Sequence, residues 1–123
     1  MQKPILLVED DLELSAMFTT FLKSKGLKVD VFSNADRALL HFRASLILYS
    51  IIITDFRMEG MNGIEFAKEV RRLKGNNIVI IMITAFSIYE IVDKEEVVNV
   101  VDRVIMKPFS LKSLYIILSN YLE

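Results

Sequence analysis

Acidic residues cluster in the run Glu9-Asp10-Asp11, and another carboxylate, Asp55, closes the apolar stretch Ile51-Ile52-Ile53-Thr54. Farther along, Thr84 follows a second apolar run and Lys107 stands directly before Pro108. Brought together, such carboxylates repel one another, and a divalent cation with a lysine would relieve the repulsion. Hard oxygen ligands from two or three carboxylates suit Mg²⁺, which keeps several waters and readily shares a phosphate oxygen. A lysine is a compact point charge for one phosphoryl oxygen, and a threonine hydroxyl can donate to another. One carboxylate could then attack a phosphoryl donor to give an aspartyl phosphate. Positioning and charge neutralisation do most of the work in such a transfer.

The elements that would position these groups follow from hydrophobic periodicity. Ile51 to Asp55 is an apolar run bounded by a charge, which reads as a strand buried on both faces of a parallel sheet. Ile5 to Val8 is a similar strand that also ends in carboxylates, and residues 29–32, 78–83 and 104–106 read as three more. Between them, Leu14, Met17, Phe18, Phe21 and Leu22 recur on one helical face, with Asp11 placed to cap that helix and Gly26 to end it. Ser33 or Asn34 opens a second helix with inner face Ala35, Ala38, Leu39, Phe42 and Leu46. The glycine-rich residues 56–63 read as a loop, and Phe66, Ala67, Val70 and Leu73 mark a third helix ending before Gly75. Residues 87–101 are expected to form a fourth helix, although their valines do not settle on a single face. Ser110 caps a fifth with face Leu111, Leu114, Tyr115, Leu118 and Leu122, Ile116 lying opposite. This (βα) alternation, repeated five times, predicts an α/β fold: a parallel sheet with helices on both faces and right-handed crossovers. Ligands of such sheets bind at the carboxyl ends of the strands, the edge to which Glu9, Asp10, Asp55, Thr84 and Lys107 are all delivered.

Composition narrows the classes. A chain of 123 residues predicts one domain and no second module. The apolar fraction of 53% and mean hydropathy of +0.40 fit a sheet buried on two faces. Fifteen basic against sixteen acidic residues give no global basic field for nucleic acid or an anionic membrane. With no cysteine there is no disulfide framework and no thiolate chemistry, which fits a cytoplasmic protein. The apolar run at 78–83 is far shorter than the roughly 20 residues that span a bilayer, and the N-terminus shows no signal-peptide layout.

Taken together, Ile5-Leu6-Leu7-Val8-Glu9-Asp10-Asp11, Ile53-Thr54-Asp55 with Met58 and Met61-Asn62-Gly63, Thr84-Ala85 and Lys107-Pro108-Phe109 resemble a two-component response-regulator receiver domain of the CheY-like class, over essentially residues 1–123. The resemblance implies a flavodoxin-like (βα)5 three-layer sandwich with strand order 2-1-3-4-5. It implies Asp55 as phosphoacceptor and Mg²⁺ held by Asp10, Asp55, Glu9 directly or through water, and the backbone carbonyl of Arg57. It also implies Thr84 and Lys107 on phosphoryl oxygens, and a cis peptide before Pro108. The implied partners are a sensor histidine kinase or phosphotransfer protein upstream. Downstream they are a protein target or a second copy, met through the fourth helix, last strand and last helix. No output domain, direct nucleic-acid contact, membrane attachment or turnover of an external substrate is expected.

The chain departs from that pattern at several points. Val104 stands at the usual switch aromatic, three residues before the lysine, so no ring is expected to swing inward there. Glu59 replaces a common proline, and residues 100–103 lack a frequent glycine. Arg57 and Phe86 occupy positions that tune acyl-phosphate hydrolysis in the family, and their bulk predicts shielding of the phosphoryl group from water. Two alternatives stand beside the receiver reading: a phosphorylation-independent interaction scaffold, and a Mg²⁺-dependent phosphatase with an aspartate nucleophile. Against the latter, Arg57 sits where such enzymes carry a general acid. His41 reads as a surface residue without a clustered partner, Arg71, Arg72 and Lys68 as a solvated helix face, and Met58 and Met61 as loop packing.

Overall fold

The computed structural model describes residues 2–85 and 87–122. Its elements in chain order are β1 (Ile5–Val8), α1 (Leu12–Ser24), β2 (Val29–Phe32), α2 (Ala35–Ala44), β3 (Ile51–Asp55), α3 (Gly63–Lys74), β4 (Val79–Thr84), α4 (Lys94–Val100), β5 (Arg103–Met106) and α5 (Leu111–Ser119). All strands pair in parallel in the order β2-β1-β3-β4-β5. This is the flavodoxin-like arrangement, with the sheet between two helical layers.

Alternation along each strand divides the core between the two faces. Ile5, Leu7, Ile51, Ile53, Ile81, Ile83 and Ile105 point toward α1 and α5, where they meet Phe18, Leu22, Leu114 and Leu118. Leu6, Val8, Ile52, Ile80 and Met82 point the other way, onto α2, α3 and α4 through Ala38, Phe42, Phe66, Val70 and Val97. Buried on both sides, β1, β3 and β4 need the unbroken apolar runs that mark them in the sequence.

The caps are chemically explicit. The Asp11 side chain accepts from the N–H groups of Glu13 and Leu14, Asn34 from Arg37, and Ser110 from Ser113. Asn62 and Glu65 form a reciprocal capping box at the start of α3. Gly26, with φ at 81°, takes the left-handed turn that ends α1.

Several expectations need correction. Residues 87–101 are not one helix: a single 3-10 turn, Ile88–Glu90, precedes α4, because Asp93 is extended and its side chain caps Glu95. The apolar residues therefore fall on two separate elements, which is why they fit no single face. Met17 is exposed, since the buried stripe of α1 runs through Ser15, Phe18 and Leu22. Leu46 and Leu122 lie beyond the ends of α2 and α5, yet both pack half-buried against the core. His41 does have partners. Its Nε2 lies 2.8 Å from the hydroxyl of the fully buried Tyr49, which in turn donates to Asp30 at 2.5 Å. Arg71 is no solvated residue either; its side chain is only 13% exposed. Met58 and Met61 pack into the core as expected.

Candidate functional site

The strand register brings the polar termini together. Val8 pairs with Thr54, Asp55 with Ile83, and Thr84 with Met106, so the residues that follow or end these strands share one edge. There Glu9, Asp10, Asp11, Asp55, Arg57, Thr84, Ala85 and Lys107 line a cleft of about 270 Å³. All six residues singled out from the sequence as phosphoryl or metal groups are on its wall. Phe86, expected to shield the phosphoryl group, lies outside the described residues.

Asp55 is 8% exposed. Its Oδ1 accepts the N–H of Phe56 at 2.9 Å and its Oδ2 lies 3.5 Å from Lys107 Nζ. Lys107 is carried to it by the ladder from β5, its own N–H donating to the Thr84 carbonyl at 2.7 Å. The peptide between Lys107 and Pro108 is cis, as the resemblance implied. Thr84 is buried at the end of β4, whereas Asp10 and Arg57 are exposed at the rim.

Glu9 is the most constrained group, at 1% exposure. Its Oε2 accepts the N–H of Asp11 at 3.1 Å, and its Oε1 stands 4.0 Å from Lys107 Nζ. Among the described residues, that Oε1 is the buried side-chain atom without a hydrogen-bond partner. Burial, and next the negative charge of Asp55, push the Glu9 carboxyl up from 4.5 to about 8, while the Asp11 N–H and Lys107 pull in the opposite direction. Carboxylate oxygens of Glu9, Asp10 and Asp55 lie within 4.8 Å of one another. A buried, orphaned carboxylate oxygen beside two more carboxylates is the donor set of a hard divalent cation, so these residues fit Mg²⁺.

The raised Glu9 value has a thermodynamic consequence. Between pH 4.5 and about 8 the folded protein keeps a proton that the unfolded chain releases, so folding stability falls as pH rises through that window. Chelator-treated protein is expected to lose melting temperature across this range, and Glu9→Gln to flatten the loss. An equally steep profile in the variant would show that another group is responsible.

Gly63, part of the Met61-Asn62-Gly63 motif, has a packing role at the site that the motif alone does not give. A Cβ built on Gly63 would lie 2.3 Å from the Asp55 carbonyl oxygen, 2.9 Å from Met82 Cε and 3.0 Å from Phe56 Cα. The first turn of α3 therefore packs directly on the backbone of Asp55, and the N–H of Gly63 donates to Phe56 at 2.7 Å. The available signal was the glycine between a capping asparagine and an apolar helix face.

Comparison with known proteins agrees with this geometry. The family model described as "Response regulator receiver domain" matches residues 5–119. The DNA-binding response regulator MtrA of Mycolicibacterium paratuberculosis is 32% identical over 121 residues, covering 93% of this chain and 48% of that protein. The chain spans a third to a half of the length of the first curated relatives it matches. Among solved structures, the Vibrio cholerae chemotaxis protein CheY4 superposes with a TM-score of 0.86 at 26% identity, covering 98% of this chain and 99% of the other. The response regulator TrrA of Thermotoga maritima, in complex with Mg²⁺–BeF, gives a TM-score of 0.84 at 28% identity, covering 97% and 98%. Among the described residues, no helix is long and apolar enough to cross a membrane.

Proposed function

This chain belongs to the family of response regulator receiver domains in two-component signalling, and on that premise we propose that Asp55 accepts a phosphoryl group from a partner histidine. The observation that carries the proposal is the convergence of Glu9, Asp10 and Asp55 beneath Lys107, with Glu9 Oε1 buried and unsatisfied. An Asp55 carboxylate oxygen bonds to phosphorus as the donor's bond to phosphorus breaks, and the donor histidine leaves with its electron pair. Lys107, already 3.5 Å from Asp55, neutralises one phosphoryl oxygen, and the Thr84 hydroxyl donates to another. Asp10, Asp55, Glu9 directly or through water, and the Arg57 backbone carbonyl would hold Mg²⁺, which would supply charge neutralisation for the transferring group. The Mg²⁺–BeF complex of the similar TrrA supports this assignment.

The protein is a switch that acts on its own acyl phosphate, with no external substrate turned over. Its upstream partner is a sensor histidine kinase or phosphotransfer protein. Downstream, exposed Ile91, Val98, Met106 and Ile116 support a protein target or a second copy across α4, β5 and α5. The near-balanced charge favours protein over nucleic acid as the direct partner of this region, and a cytoplasmic location belongs to the same reading. Arg57, in place of a general acid two residues beyond Asp55, weighs against an aspartate-nucleophile phosphatase.

Fluorine NMR with Mg²⁺ and beryllofluoride tests the site. A protein-bound resonance is expected in the wild type and none in Asp55→Asn. A wild type without a bound resonance would overturn the assignment.

A further inference from the structure

The residue directly before the acceptor is a hydroxyl in an apolar layer. Thr54 is fully buried, and its neighbours across the sheet are Val8 on β1 and Met82 on β4. A buried hydroxyl needs a partner, and neither of those side chains can supply one. Its partner is the carbonyl oxygen of Asp55, to which Thr54 Oγ1 donates at 3.0 Å. Gly63 closes in on the same oxygen, since a Cβ there would come within 2.3 Å of it.

The other end of that peptide holds the acceptor itself. The Phe56 N–H shares a plane with the Asp55 carbonyl and is divided between the Ile83 carbonyl and Asp55 Oδ1, each at 2.9 Å. Oδ1 is thereby engaged, and Oδ2 is left facing Lys107 Nζ at 3.5 Å. A peptide whose carbonyl accepts a hydrogen bond is polarised, which strengthens its N–H as a donor. Because the unit is planar, a tilt that takes the carbonyl from the Thr54 hydroxyl also takes the N–H from Oδ1.

We infer that Thr54 is a positioning residue for the acceptor: its hydroxyl fixes the Asp55–Phe56 peptide, so that the Phe56 N–H holds Oδ1 and leaves Oδ2 to attack phosphorus. This role rests on the phosphoacceptor reading above. With acetyl phosphate as donor, the bond from Oδ2 to phosphorus forms as the bond from phosphorus to the acetyl oxygen breaks, and acetate leaves with the electron pair. Thr54 takes no part in that exchange; it sets which carboxylate oxygen is free for it.

Two substitutions separate the hydroxyl from the bulk of the side chain. Thr54→Val keeps the branched shape and loses the donor, whereas Thr54→Ser keeps the donor and loses the methyl. The first readout is the Phe56 amide proton by NMR in the free protein without Mg²⁺. It is expected to move upfield in Thr54→Val and to stay near its wild-type position in Thr54→Ser. The second is the rate of phosphorylation by acetyl phosphate with Mg²⁺, followed by intact mass. Loss of one hydrogen bond predicts a rate about tenfold lower in Thr54→Val, and Thr54→Ser within about twofold of the wild type. Thr54→Ala set against Thr54→Ser repeats the comparison without the second methyl, should Thr54→Val not fold. A Phe56 resonance unmoved by loss of the hydroxyl would overturn the inference. So would a Thr54→Ser variant slowed as much as Thr54→Val, because packing would then explain the effect. A wild type that gains no phosphoryl group marks failure of the phosphoacceptor reading instead, and the Phe56 amide then still decides whether Thr54 sets the peptide.

Discussion

Gly63→Ala is expected to destabilise the protein by about 3 kcal/mol and to displace the acceptor carboxylate. The added methyl meets two backbone atoms, the Asp55 carbonyl oxygen at 2.3 Å and Phe56 Cα at 3.0 Å, and neither can rotate away as a flexible side chain would. Relief requires α3 to lift from the end of β3. That movement lengthens the 2.7 Å bond from Gly63 N–H to Phe56 and shifts the strand end carrying Asp55. Urea unfolding of the variant reports the loss of stability, and the beryllofluoride resonance reports the displaced carboxylate. A variant with wild-type stability and an unaltered bound signal would show that the start of α3 does not press on the backbone of Asp55.

Arg71→Met is expected to cost a similar amount, about 3 kcal/mol, by a different route. Methionine preserves much of the apolar stem, so the loss isolates the guanidinium. Four hydrogen bonds disappear, and the Val100, Gly75 and Ile78 carbonyls and Asp102 lose a charged donor. Bonds to charged groups each contribute about 1.5–3 kcal/mol, but they are not additive, and the 13% exposure of the side chain admits some water in compensation. A midpoint shift corresponding to less than about 1 kcal/mol would mean that water replaces the fork almost fully.

These two positions also mark where sequence reading ends. The strands were legible because burial on both faces demands apolar runs such as Ile51-Ile52-Ile53, and the edge of the sheet was legible because each run stops on a polar group. Helix starts were legible where a capping side chain stands at the right place, as at Asp11 and Ser110. Once the strands are parallel and in register, Glu9, Asp10, Asp55, Thr84 and Lys107 have to meet, so the site came with the fold. What remained hidden depends on distances set by tertiary packing. Arg71 and Arg72 are adjacent basic residues on one helix. Only the approach of the α4 end and the β5 entry makes Arg71 a half-buried hub, while Arg72 pairs with Glu69 at the surface. Tyr49 belongs to no periodic element, so its bonds to Asp30 and His41 left no pattern to read. The break between Ile88–Glu90 and α4 was present in the chain as Asp93, but a capping aspartate inside a valine-rich run competes with the simpler expectation of one longer helix.

If Asp55 carries the phosphoryl group, the intact mass of the protein after incubation with a small acyl-phosphate donor reports it. The expected result is a gain of one phosphoryl group that requires Mg²⁺, appears in the wild type and is absent from Asp55→Asn. No gain in a wild type that demonstrably binds Mg²⁺, or an equal gain in Asp55→Asn, would contradict it.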